Sequence, residues 1–194
     1  MTDKAFPGFV MRTRLPRRKA VLFQMAQACW SEYVACRLSA TWAPDEQTCW
    51  FENTFCTSLE GVRARGNAAI RNYRTERDIG KLLNCITGEY GTAMKYASYL
   101  FGHVAGLEQD LNDAAPRALE SIKSNDLTDM FSRLKNCLDE LWKNYDTWAS
   151  PEVFAPLELL SEEMLNIAGL CLETRPEGLY VDVPFTADTL PNIY

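Results

Sequence analysis

Two octets, CWSEYVAC at residues 29–36 and CWFENTFC at residues 49–56, share the pattern Cys-Trp-x-Glu-x-x-x-Cys. Cysteines in such pairs can hold a metal, form disulfides, or sit as reduced thiols on the inner faces of helices. Zinc sites usually draw on cysteines two to four residues apart, whereas six residues separate these, and the one histidine, His103, has no spaced partner. On a single helix, positions seven apart share a face but lie about 10.5 Å apart along the axis. A disulfide needs α-carbons within about 7 Å, so neither octet closes on itself. The four positions are, however, mirror-symmetric about the turn TWAPDEQ at residues 41–47. An antiparallel hairpin would bring Cys29 towards Cys56 and Cys36 towards Cys49.

This arrangement resembles the twin-cysteine helical hairpins of the mitochondrial intermembrane space, over less than a fifth of the chain. The spacing differs, with six residues between cysteines here against nine in that family. Two hairpin disulfides are what the resemblance implies. The chain has seven cysteines, an odd number that cannot pair completely within one molecule. Free cysteine is among the most buried residue types. The reading adopted is therefore seven reduced thiols, most of them in helix packing, in a reducing compartment: the cytoplasm at synthesis.

Other catalytic signatures are absent from the sequence: no Gly-x-Gly-x-x-Gly, no Walker loop, no nucleophile elbow and no His-Glu-x-x-His. His103 lies between Phe101 and Val104 on an apolar stripe, the setting of a packed histidine rather than a general base. Glu162 and Glu163 are adjacent, so on a helix they diverge onto a solvated face. No catalytic residue, metal ligand or cofactor is assigned.

Charge is more informative. Residues 1–81 hold thirteen Lys and Arg against eight Asp and Glu, and residues 82–194 hold seven against eighteen. Within the basic half, Arg12, Arg14, Arg17, Arg18 and Lys19 cluster, and Arg74, Arg77 and Lys81 recur on one predicted helix face opposite Ile79, Leu83 and Ile86. These eight residues are the candidates for phosphate contact. The competing reading is a solvated face, or ion pairs with the acidic half. Aromatic residues are not interleaved with the arginines as a stacking groove for single strands requires, so any nucleic-acid contact is expected to be non-specific.

The elements that must carry these residues are helical. Leu22, Met25, Cys29, Tyr33 and Cys36 follow Pro16 at three- and four-residue steps. Pro44 is expected to open a second helix burying Phe51, Phe55, Leu59 and Val62, and Gly61 and Gly66 mark a break or bend. The pattern resumes over 67–86, and a stripe from Tyr90 to Leu111 contains Gly102 and Gly106, which signal a close helix contact or a break. Residues 126–148 keep a three-four spacing from Leu127 to Trp148. Ser150 reads as an N-cap for a further helix presenting Leu157, Leu160, Met164, Ile167 and Cys171. The longest uncharged stretches, Ala20–Ser31 and Tyr96–Leu107, are twelve residues each. That is short of the roughly 20 a bilayer span needs, so no membrane segment is predicted. RTRLPRRK before an apolar run imitates a secretion signal, but Gln24 and Gln27 interrupt the run and cleavage is not expected.

Together these features predict an all-α domain over 16–174, with five to seven helices in antiparallel hairpins, an extended N-terminal arm over 1–15 and an extended C-terminal arm over 175–194. The C-terminal arm carries Leu179, Val181, Val183, Phe185, Leu190, Ile193 and Tyr194, interrupted by Pro184 and Pro191. Apolar arms without a core of their own suggest docking on other protein subunits. The functional expectation is a non-enzymatic building block of a larger assembly, for example a virion neck, connector or capsid-associated protein. The alternatives are a nucleic-acid-associated helical subunit, or an inhibitor whose acidic face mimics DNA.

Overall fold

The computed structural model describes residues 15–190 and is mostly helical. The N-terminal arm, apart from Leu15, lies outside the described residues, as do Arg12, Arg14, Ile193 and Tyr194. Leu15 packs against the core. Helix α1 (Arg17–Ser39) follows Pro16 and buries Leu22, Met25, Cys29, Tyr33 and Cys36, the predicted stripe. After a turn come α2 (Gln47–Leu59), α3 (Val62–Glu76) and the long α4 (Ile79–Gly106). Then follow the single-turn α5 (Leu111–Ala114), α6 (Pro116–Ser124), α7 (Thr128–Lys143) and α8 (Ala155–Ile167). No helix among the described residues is long and apolar enough to cross a membrane.

Helix α4 is the central element, packed against α1, α2, α3, α7 and α8. Its closest partner is α1, and the two run parallel: Met25 sits at Gly91, Tyr33 at Gly102 and Arg37 at Gly106. A Cβ on Gly102 would lie 2.9 Å from the Tyr33 Cα and nearer still to its carbonyl oxygen. At Gly106 it would meet the carbonyl of Arg37 and lie 2.7 Å from the Ala40 Cβ. These two glycines mark a backbone contact, not a break.

Because α4 lies against α1 so closely, α1 and α2 do not pack along one another as a hairpin. Each faces α4 instead, and α2 also meets α6. The expected continuous helix over 67–86 is broken as well. Arg77 takes a left-handed conformation (φ 61°) at the end of α3, and the Asp78 side chain accepts a hydrogen bond from the Lys81 N–H to start α4. The break between α2 and α3 falls at Gly61 (φ 67°), where a left-handed backbone favours glycine. Gly66 is an interior residue of α3, close to Tyr90.

The largest departure is at the C-terminus. Helix α8 ends at Ile167, which is exposed, and Cys171 begins a strand instead of closing the helical stripe. Strand β1 (Cys171–Arg175) pairs antiparallel with β2 (Gly178–Asp182), with Leu172 opposite Val181 and Thr174 opposite Leu179. The alternation of Leu179 and Val181, with Val183 just beyond, is thus that of a true strand, whose partner lies immediately upstream across a two-residue turn at Pro176 and Glu177. It escaped detection because CLETR has little apolar content. The segment expected as a detached arm from residue 175 is a hairpin followed by a strap. Leu172 and Val183 are buried in the core, and Leu179 and Val181 pack against it.

The glycines of α4 predict substitutions of opposite sign. Gly102→Ala is expected to destabilise the fold by about 1–3 kcal/mol through overpacking, outweighing its gain in helix propensity. Gly88→Ala, where a Cβ would meet nothing within 4 Å, is expected to stabilise it by about 0.5–1 kcal/mol. Urea denaturation midpoints of the two variants check both signs.

Candidate functional site

The four cysteines of the octets do not converge. Cys29 and Cys36 are buried on α1, Cys56 is half-buried and Cys49 is exposed; all seven cysteines of the chain are unpaired. Burial raises the Cys29 thiol to about 12 and those of Cys36 and Cys137 to about 11. Neutral thiols of this kind are poor nucleophiles and poor metal ligands. Among the described residues no cluster of three or more Cys, His, Asp or Glu is placed to hold a metal ion.

The shared glutamate faces a polar partner on another helix in each octet. Glu52 is buried, and its Oε1 accepts hydrogen bonds from the backbone N–H groups of Arg117 (2.8 Å) and Ala118 (3.1 Å), capping α6 from another helix. Its Oε2 accepts from the Arg117 guanidinium at 2.5 and 2.9 Å. Glu32 faces Tyr99, whose hydroxyl is raised to about 12 by burial and by that carboxylate. These are structural ties between helices. Nothing in the octet pattern identifies the partners, since both lie more than sixty residues away in sequence.

His103 is buried, edge-on to Phe51 at 5.3 Å between ring centroids. Burial lowers its pKa below the ordinary value. A half-buried network joins α1 to α7: Tyr33 donates to Asp139 (2.5 Å), Arg37 donates to the Tyr33 hydroxyl, and Lys135 donates to Asp139 (2.8 Å). Arg37 also covers the Trp142 ring at 4.7 Å.

The predicted phosphate contacts disperse over the fold. Arg18 forms a two-pronged pair with Glu162 (2.5 and 2.6 Å) and also donates to the Leu172 carbonyl. Lys19 lies near Glu152 and Glu158, and Lys81 pairs with Glu76 at 2.7 Å. Arg17 and Arg77 are exposed. Arg74, Arg77 and Lys81 do not share one helix face, because the chain breaks between α3 and α4. Glu162 and Glu163 diverge as expected, but each meets an arginine, Arg18 and Arg133 respectively.

Arg74 instead grips the C-terminal strap. It donates to the carbonyls of Val183 (2.7 Å) and Pro184 (2.8 Å), and its guanidinium stacks 3.9 Å from the Phe185 ring centroid. Arg71, one turn earlier on α3, donates to the Asp188 carbonyl at 2.6 Å. Of the predicted docking residues, Val183 is buried and Leu179 and Val181 are half-buried within this molecule, while Phe185 and Leu190 are 69% and 51% exposed.

The most prominent exposed apolar group lies elsewhere. Leu38 at the end of α1 is 50% exposed, Trp42 in the following turn 83%, and Trp50 in the first turn of α2 54%. All three lie on the α1–α2 corner, with the exposed Asp45 and Glu46 between the tryptophans. Sequence reasoning missed this corner because Trp30 and Trp50 occupy equivalent octet positions, yet Trp30 is buried against Trp148 and Phe154. Comparison of the chain with protein-family models, curated proteins and solved structures finds no match.

Two measurements follow from this chemistry. Protein denatured and alkylated without reductant is expected to take up seven alkyl groups, and an intact mass lower by four hydrogens would instead show two disulfides. Because the folded state holds His103 below its unfolded value near 6.5, protonation favours the unfolded chain. This contribution is fully present above that value and is lost as pH falls through it towards the folded pKa. Denaturation midpoints at pH 7.5 and 5.5 should differ less in His103→Gln than in the native chain.

Proposed function

We propose that the protein is a non-enzymatic subunit of a larger protein assembly, and that it docks through the α1–α2 corner. The observation that supports this reading is the exposure of Trp42 and Trp50 at one corner of the fold, where neither ring is stacked on a cation of the described residues as the exposed Phe185 is on Arg74. Exposed tryptophan is costly to hydrate and is enriched among the residues that dominate protein interfaces. Leu38 extends the apolar surface, and Asp45 and Glu46 give it an acidic rim with no basic residue between 38 and 50. The partner that fits is another protein chain with an apolar pocket for an indole and a basic margin.

The C-terminal segment does not carry this reading, since its strand and strap are engaged with their own core.

Trp42→Ala and Trp50→Ala are expected to leave the melting temperature within about 2 °C, because surface changes away from structural ties cost within about 0.5 kcal/mol. Each should weaken capture of the native partner assembly by at least tenfold, the loss typical of an interface anchor above 1.4 kcal/mol. A double Trp42→Ala/Trp50→Ala protein that still co-purifies with that assembly at native stoichiometry would overturn the proposal.

A further inference from the structure

The arginines whose side chains donate hydrogen bonds among the described residues differ in what they reach. Arg18, Arg37, Arg65, Arg117, Arg133 and Arg175 each reach a carboxylate. Among the described residues, Arg71 and Arg74 form no ion pair and donate instead to main-chain carbonyls of the C-terminal strap, at Asp188, Val183 and Pro184. A carbonyl satisfies an N–H group but leaves the cationic charge uncompensated. The carboxylate nearest in sequence, Glu76, is held by Lys81.

A second observation points the same way. The Nε–H of Arg74 is buried beneath the strap and has no acceptor among the described residues. Buried donors are nearly always satisfied, so the strap is an incomplete match for this guanidinium. A tetrahedral oxyanion offers what the carbonyls do not: full negative charge, and enough oxygens to take Nε and Nη of one arginine together. Arg71 and Arg74 are spaced three residues apart, on one face of α3. Arg77 caps the end of the helix in a left-handed conformation and is exposed.

We propose that Arg71 and Arg74 form a phosphate-binding site that the chain's own segment 183–190 occupies as a pseudo-ligand, and that the phosphate backbone of a nucleic acid displaces this strap. The two states are mutually exclusive, because the strap carbonyls and a phosphate require the same guanidinium N–H groups. The strap is suited to the exchange. Beyond Val183 its buried residue among those described is Thr189, and its exposed Phe185 ring stacks on the Arg74 guanidinium that the phosphate would recruit. The contacts of the bound state are to phosphate alone, so the binding is expected to be insensitive to sequence. This inference is independent of the α1–α2 corner.

The test uses the full chain and a labelled 20-nucleotide single-stranded DNA, with inorganic phosphate and pyrophosphate as the small-anion arm. At 50 mM salt the DNA is expected to bind and to increase hydrogen exchange at the amides of residues 183 and 185–190. Arg71→Gln/Arg74→Gln should weaken binding at least tenfold and lower the slope of log K against log salt by about 1.4, two contacts at about 0.7 each. Phe185→Ala loosens the strap and should tighten binding several-fold. If the strap were merely structural, the same change would weaken binding or leave it unaltered. Strap opening by millimolar phosphate or pyrophosphate alone would support the site and assign it to a small anion. Absence of DNA binding together with absence of any phosphate effect overturns the proposal, as does DNA binding that leaves exchange at 183–190 unchanged.

Discussion

The approach of α1 to α4 is the constraint around which the other elements are arranged. Two backbones can come this close only where one side chain is missing, and Gly102 and Gly106 supply that absence at successive turns opposite Tyr33 and Arg37. With α1 and α4 parallel, the chain uses two intervening helices, α2 and α3, to return to the starting end. The contact fixes the Tyr33 side chain, whose hydroxyl then reaches Asp139 and ties in α7. The cysteine symmetry about residue 42 fails for the same reason. A symmetric hairpin requires α1 and α2 to face each other, and each faces α4.

Charge polarity along the sequence becomes interlocking charge in the fold. Arg18, Arg37 and Arg65 from the basic half reach Glu162, Asp139 and Glu89 from the acidic half. Arg117 from the acidic half reaches back to Glu52. Exposed pairs of this kind contribute little to stability individually, but their consequence for function is larger. Of the clustered cations they take up Arg18, as Glu76 takes up Lys81, whereas Arg71 and Arg74 grip the strap and form no ion pair among the described residues.

The helices were legible where apolar period, proline and glycine agreed. The stripe from Leu22 to Cys36 and a break near Gly61 and Gly66 follow from side-chain volume and backbone freedom, whereas at Gly102 and Gly106 the sequence left a close contact and a break equally open and the packing of α1 decides for the contact. The break at Arg77 was not legible, because a left-handed arginine has no compositional mark and only Asp78, as a cap, hints at it. Strand β1 was hidden because its residues are mostly exposed and polar, so its identity depends on pairing with β2 and not on its own pattern. The functional features were least visible. An exposed and a buried tryptophan in equivalent octet positions differ only in what the rest of the chain brings to them.

The strap and the corner place different demands on the fold. The corner is short and bounded by the long α1 and by α2, so its tryptophans are presented by a rigid frame with little entropy left to lose on binding. The strap is held by side-chain cations on neutral oxygens and by few buried groups, the features of a segment that opens at low free-energy cost. A rigid apolar corner suits persistent association with a protein, whereas a displaceable strap suits an exchange between two ligands of one site. The hairpin β1–β2 separates the two behaviours: Leu172 and the Arg18 contact to its carbonyl anchor the hairpin to α1 and α8. Release of residues beyond Val183 therefore need not disturb the helices that carry the corner.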